Sequence, residues 1–141
     1  MKNKQNKESV MSKASLTKGI SIETKDTLGT AAKVTNLISN QAKANIRAAW
    51  AAGENGHGYF SLITDHNDKA LEALKKDFPT TREQEVLVVN ANNQLGEIAN
   101  ITNQISKANI NINFLYTTTF DNKPAVILST TDNKKAMELL G

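Results

Sequence analysis

Cysteine is absent from the 141 residues of the chain. That removes disulfide frameworks, thiolate nucleophiles and cysteine-ligated zinc sites together, and it suits a reducing compartment. No apolar run comes near the roughly 20 residues that a membrane helix needs, and the N-terminal stretch lacks the apolar core of a signal peptide. These absences predict a soluble, cytoplasmic protein with no membrane partner. Histidine occurs only at His57 and His66, away from any cysteine and without the i, i+4 spacing that sets two imidazoles on one helix face, so no metal site is expected. Asp65, Asp68, Asp121 and Asp132 are scattered over turn-forming segments, and no serine, histidine and acid set recurs along the chain. The sequence therefore predicts no catalytic residue, no cofactor and no enzyme activity.

Charge is present but uneven. The formal net charge is +3, yet residues 1–18 hold Lys2, Lys4, Lys7, Lys13 and Lys18 against Glu8 alone, which puts +4 there and −1 in the remainder. The basic balance thus describes a polar leader and not a cationic folded surface. Residues 1–17 read as a flexible basic arm, and no nucleic-acid partner is expected. At this length the chain holds one medium domain or two small ones with thin cores, for which pairing would matter.

An internal repeat organises the rest. One copy runs GISIETKDTLGTAAKVTNLISNQ, ANIRAAWAA and GYFSLITDHNDKALEALKKD; the other runs VLVVNANNQLGEIANITNQISK, ANININFLYT and PAVILSTTDNKKAMELLG. Leu28-Gly29 answers Leu95-Gly96 at an offset of 67, Ile46 and Trp50 answer Ile110 and Phe114 at 64, and Ala70-Leu71-Glu72 answers Ala136-Met137-Glu138 at 66. The drift predicts an opening helix three residues longer in the first copy.

Both copies present the same elements in the same order. Ile20 and Ile22 alternate with polar partners and Val86–Val89 form a short apolar run, so both are strands. Ala31, Val34, Ile38 and Ala42, like Ile98, Ile101, Ile105 and Ala108, recur at spacings of three and four, a helical stripe. Ile46, Ala48, Trp50 and Ala52, matched to Ile110, Ile112, Phe114 and Tyr116, keep period two, which predicts a strand with its bulky side chains turned to a helix layer and makes Trp50 and Phe114 core aromatics. Turn-formers at Gly53–Gly58 and Asp121–Pro124 predict hairpins into Tyr59–Ile63 and Ala125–Leu128, and Asn67-Asp68 and Asp132-Asn133 offer caps to helices over 68–76 and 134–140. GENGHG, which resembles a phosphate loop, joins strand to strand and reads as a hairpin turn. A closing strand would complete each β-α-β-β-α-β unit. The first copy can take it only from the polar stretch 79–85, and the second ends at Gly141 before one can form, so its last strand is missing or supplied by pairing.

The turn after each first strand is the candidate binding element: KDTLGT at 25–30 and NNQLGE at 92–97. Its glycine permits a tight turn and close approach, and the following helix start offers unpaired N–H groups that suit a carboxylate. Asp26 and Asn93 stand at equivalent positions, where they either accept from an ammonium group or cap the helix.

The Leu-Gly turns, the Asn-Ile-Arg-Ala and Ile-Asn-Ile-Asn-Phe-Leu-Tyr stretches, the Asp-Lys-Ala-Leu-Glu-Ala-Leu helix and the Val-Leu-Val-Val strand, duplicated in order over residues 17–141, resemble small stand-alone proteins made of two tandem ACT domains. The resemblance implies an α+β fold of two ferredoxin-like βαββαβ repeats, residues 18–82 and 83–141, with antiparallel sheets and helices on one face. It also implies a homodimer and a regulatory role in which an amino acid binds at a pairing interface near the turn. Carried over by position, the ligand contacts would be Asp26, Thr27, Leu28, Gly29 and Thr30, with Asn93, Gln94, Leu95, Gly96 and Glu97. The Pro-Gly common in that family is replaced here by Leu-Gly. Two other readings share the element order: a regulatory subunit docking on an amino-acid biosynthetic enzyme, and an RNA-binding module, which would need aromatics that Ile20–Glu23 and Val86–Val89 lack.

Overall fold

The computed structural model describes residues 13–92 and 95–141. Asn93, Gln94 and the first twelve residues of the expected arm lie outside the described residues. The elements in chain order are β1 (Ala14–Lys25), α1 (Thr30–Asn36) continuing as a π-helical turn (Leu37–Gln41), β2 (Ile46–Glu54), β3 (His57–Thr64), α2 (Asn67–Lys75), β4 (Arg82–Asn90), α3 (Glu97–Lys107), β5 (Ile112–Phe120), β6 (Lys123–Thr130) and α4 (Asn133–Leu140). They group into two compact units, Lys18–Gln84 and Glu85–Gly141, the second also taking in residues 13–17.

In the Lys18–Gln84 unit the strand order is β2-β3-β1-β4, with β3 antiparallel to both β1 and β2. The fourth strand comes from the polar stretch that follows α2. Thr80 accepts from Glu23 N–H (3.4 Å) and returns a hydrogen bond to Glu23 O, while Lys18 pairs with Glu83 at 3.3 Å, so one partner index falls as the other rises, an antiparallel register. Its core joins Ile20, Ile22, Phe60 and Leu62 of the sheet to Val34, Ile38, Ala70 and Leu74 of the helices. Ala31, expected in the helical stripe, is exposed.

In the other unit the order is β1-β4-β6-β5, with β6 antiparallel to β4 and β5. Here the closing strand is supplied by residues 14–17, the start of β1. Those residues, read from sequence as flexible arm, are strand: Ala14 is buried, Leu16 packs on the same cluster, and Asn90 N–H donates to Lys13 O at 2.7 Å. A single alternation explains how β1 reaches two cores, because Ala14, Leu16, Ile20 and Ile22 all fall on even positions with Lys18 between the pairs. Leu87, Val89, Val126 and Leu128 meet Ile101, Ile105, Ala136 and Leu140 to form this core.

Two local devices account for differences from the sequence-based reading. The strands pair Ile46 with Thr64 and Ile112 with Thr130, so Ile46 corresponds to Ile112 at an offset of 66, and Trp50 corresponds to Tyr116 instead of Phe114. The first copy then carries one extra residue after its glycine, not three, and the π-turn absorbs it: Ala42 N–H donates to Leu37 O at 3.0 Å, five residues back. The second device is a bulge, at Arg47 in β2 and Asn113 in β5, where the register slips. One inserted residue flips the alternation. Ile46 and Ile112 therefore pack toward the helices, but Phe114 lies opposite Ser129 and Tyr116 opposite Ile127, on the sheet face away from the Val126 and Leu128 side chains. Trp50, opposite Ser61, lies on the corresponding face of its unit. The expectation that this strand turns its aromatics to the helix layer is corrected by the bulge.

The start of the last helix in each copy is stitched identically. Asn67 Oδ1 accepts from Thr64 N–H (3.0 Å) and Oγ1 (2.7 Å), and its Nδ2 donates to Lys18 O (2.7 Å). Asn133 repeats the pattern with Thr130 N–H and Oγ1 (both 2.8 Å) and Glu85 O (3.0 Å).

Candidate functional site

The first turn leaves β1 at Lys25 and enters α1 through Gly29. Gly29 has φ +87°, a left-handed conformation that a Cβ disfavours, although a Cβ there would meet nothing within 4 Å. Glycine is thus required by backbone geometry, and the space above it is open. Thr30 closes the turn from beneath: buried, it receives Thr27 N–H at 3.1 Å and donates to Thr27 O at 2.8 Å. Its hydroxyl is committed to the fold. Thr27 and Gly29 are exposed, and Leu28 at the apex is exposed throughout its side chain. Asp26 is anchored to the β2–β3 hairpin, its N–H donating to Gly56 O at 2.9 Å. Its carboxylate leans over Gly53, where a Cβ would stand 2.0 Å from Oδ2. No side-chain cap bond is made at the start of α1, so Asp26 does not act as the helix cap. The five candidate residues of this turn do come together, lining a hollow of about 480 Å³ with Ala31 and Ala32.

The second turn repeats the frame and changes the chemistry. Gly96 has φ +82° with open space where a Cβ would point, Leu95 is again fully exposed, and Asn100 N–H donates to Gly96 O at 2.9 Å as Lys33 does to Gly29 O. At the position of Thr30 stands Glu97. Its side chain is only 12% exposed, and Oε2 lies 3.2 Å from Lys13 Nζ. Glu97 lines a cavity of about 340 Å³ whose walls are apolar at Ala91, Ile98, Pro124, Ala125 and Val126 and hydroxylic at Thr117–Thr119. Leu95 and Gly96 are not among its walls. Sequence reasoning missed Lys13, because nothing local announces an ion pair spanning 84 positions, and it missed Thr117–Thr119, which lie within the strand Ile112–Phe120 and form no motif of their own.

Other candidates resolve into structural roles. Asn55 and Gly56 both have positive φ, as the two central residues of a type I′ hairpin require, so GENGHG is a turn between strands. His66 N–H donates to Thr64 Oγ1 at 3.2 Å, and His57 lies with its ring 6.3 Å from that of Tyr59. Among the described residues no three His, Cys, Asp or Glu side chains gather as a metal site would need. No described helix is long and apolar enough to cross a membrane. Phe114 and Tyr116 stack at 6.2 Å, and burial pushes the Tyr116 phenol up to about 12.

The sequence profile of the family described as an ACT domain pair matches residues 15–140. The chain belongs to that family. The matched span opens inside β1, which is where the closing strand of the second ACT repeat begins. No curated protein matches the chain in sequence. Among solved structures, this ACT pair is similar to protein BT0572 from Bacteroides thetaiotaomicron, at 25% identity and a TM-score of 0.77 over 92% of this chain and 89% of that one. It shares its fold with the regulatory subunit of aspartate kinase from Thermus thermophilus in its ligand-free form (15% identity, TM-score 0.62, 89% and 94% covered). The regulatory subunit of aspartate kinase from Thermus flavus is similar to the same degree (16% identity, TM-score 0.60, 92% and 95% covered).

Proposed function

We propose that the protein is a non-enzymatic, cytoplasmic regulator that binds a free amino acid at its ACT turns, associates as a homodimer and acts on an enzyme of amino-acid biosynthesis. The observation that carries this reading is the duplicated turn: in each copy a left-handed glycine opens onto free space, a hollow of small-ligand size lies on the first turn itself, and another lies against Glu97 and Ile98 at the start of the helix that follows the second. Cavities of about 340 and 480 Å³ fall at the lower end of the roughly 300–1,000 Å³ usual for small-molecule sites. In the second copy Glu97 offers a carboxylate to an ammonium group, while N–H groups at the start of α3 suit a carboxylate. The apolar walls then suit an aliphatic side chain. The two similar regulatory subunits of aspartate kinase motivate the choice of a biosynthetic enzyme as partner.

Regulation of this kind needs only differential affinity: a ligand that favours one arrangement of the protein shifts the population that a partner reads. Linkage sets the size of the signal. A specific amino acid at 100 times its dissociation constant stabilises the fold by about 2.7 kcal/mol. A thermal-shift screen of the twenty amino acids and the common nucleotides tests the reading. A rise with one or a few amino acids supports it, whereas a rise with a nucleotide and none with any amino acid ends it.

A further inference from the structure

The two ACT turns differ at one position in a way the repeat does not require. Thr30 in the first copy is consumed by its own turn, but Glu97 in the second lines a cavity and is paired with a cation 84 positions earlier in the chain. Lys13 is not placed there by chance contact of long side chains alone. Its own carbonyl is fixed by Asn90 N–H at 2.7 Å, one residue before β1 begins, so the strand that closes this unit also delivers the ammonium to Glu97 Oε2 at 3.2 Å. Glu97 is 12% exposed and Lys13 34% exposed, so the pair is partly withdrawn from water.

We propose that Lys13 is a resident competitor for the second ACT site, its ammonium occupying the position on Glu97 that the ammonium of an incoming amino acid would take. This rests on the amino-acid reading above and adds its regulation. A primary ammonium on a flexible four-carbon stem has the charge and the three donors of the ligand group it would mimic. The cavity that Glu97 lines has Ala91, Ile98 and Val126 on its walls, which suit an aliphatic side chain. Ligand entry then expels Lys13 from Glu97, which couples occupancy of this site to the residue that leads into the closing strand. The first ACT copy has no such competitor, because it has no carboxylate at Thr30. The two sites therefore differ in affinity, the first filling without this competition.

The test uses the full chain in an amine-free phosphate buffer, with the twenty amino acids and propylammonium as probes. Isothermal titration compares wild type with K13Q, K13R and E97Q, and the ¹⁵Nζ resonance of Lys13 is followed in wild type. Removing a partly exposed ion-pair partner predicts an affinity gain of about fivefold at the second site in K13Q. K13R keeps wild-type affinity and E97Q loses the second site. In wild type, a saturating amino acid moves the Lys13 signal to its position in E97Q, a readout that holds even where K13Q folds poorly. An amino acid that binds wild type and K13Q equally, leaving the Lys13 signal in place, overturns the competitor and leaves the amino-acid reading standing. Displacement of Lys13 by propylammonium but by no amino acid supports the competitor and overturns the amino-acid reading. No response to any probe overturns both.

Discussion

Replacing Asn67 by alanine removes one acceptor and one donor that together hold β3, α2 and β1. The acceptor serves Thr64 N–H at 3.0 Å and Thr64 Oγ1 at 2.7 Å, and the donor serves Lys18 O at 2.7 Å. These losses are unequal. Thr64 is 5% exposed, so its N–H would be left buried without a partner, which costs about 1–3 kcal/mol. The Thr64 hydroxyl still receives His66 N–H, and the bond to Lys18 O is exposed, so water can replace the lost donor there. The sum expected for N67A is about 2–3 kcal/mol. N67D keeps the acceptor for Thr64 but replaces the donor with a carboxylate oxygen that must turn from Lys18 O toward water, for about 1 kcal/mol. Urea denaturation followed by circular dichroism reads the difference: with a slope of roughly 1–3 kcal/mol per molar, N67A lowers the midpoint by about 1–2 M and N67D by less than half of that. The same order is expected for N133A and N133D, whose partners Thr130 and Glu85 repeat the geometry. An N67A protein within about 0.5 kcal/mol of wild type, or an N67D protein less stable than N67A, would refute the reasoning.

Gly29→Val and Gly96→Val strain the left-handed backbone without any clash, so each lowers stability by about 1–3 kcal/mol, with Gly→Asn at either position milder; calorimetry giving Asn and Val equal losses would contradict this. Starting the chain at Lys18 withdraws Ala14 and Leu16 from the second core, and hydrogen exchange should show Val86–Asn90 losing protection while Ile20–Lys25 keep it; uniform loss in both stretches would count against the closing role of residues 14–17. Above pH 10 the unfolded state ionises Tyr116 while the folded state, with its phenol pushed up to about 12, does not, so stability falls as pH rises through that window. The fall is at most about 2.7 kcal/mol and about 1 kcal/mol after discounting for partial exposure, and Y116F abolishes that share of it; an unchanged alkaline profile in Y116F would rule out Tyr116 as its source.

Much of the fold was legible because it repeats. Glycine at 29 and 96, with acceptable turn chemistry around it, marks the same backbone event twice, and the Ile101 and Ile105 stripe reports its own helix. What was not legible has more than one physical source. A bulge at Arg47 or Asn113 leaves local composition unchanged yet flips every later side chain, so Phe114 and Tyr116 were assigned to the wrong face. The Asn-Ile step occurs twice in the second copy, at 109–110 and at 111–112, and matching Asn45-Ile46 to the first of these aligned the copies two positions apart along β2 and β5. The closing strand of the second unit was unreadable for a different reason: residues 14–17 are polar apart from Ala14 and Leu16, and their pairing partner lies some seventy positions downstream. The candidate site was half visible. Asp26–Thr30 form one continuous turn, whereas the Lys13 and Glu97 pair joins residues 84 positions apart, which periodicity cannot announce.

Titration of the ¹⁵N-labelled full chain with amino acids, observed by amide resonances, tests the central claim most directly. The account predicts saturable shifts concentrated at Thr27–Thr30 and at Gly96–Ile98 with Thr117–Thr119, for one or a few amino acids. Saturable binding that leaves both glycine turns unperturbed, or no binding by any amino acid, would contradict it.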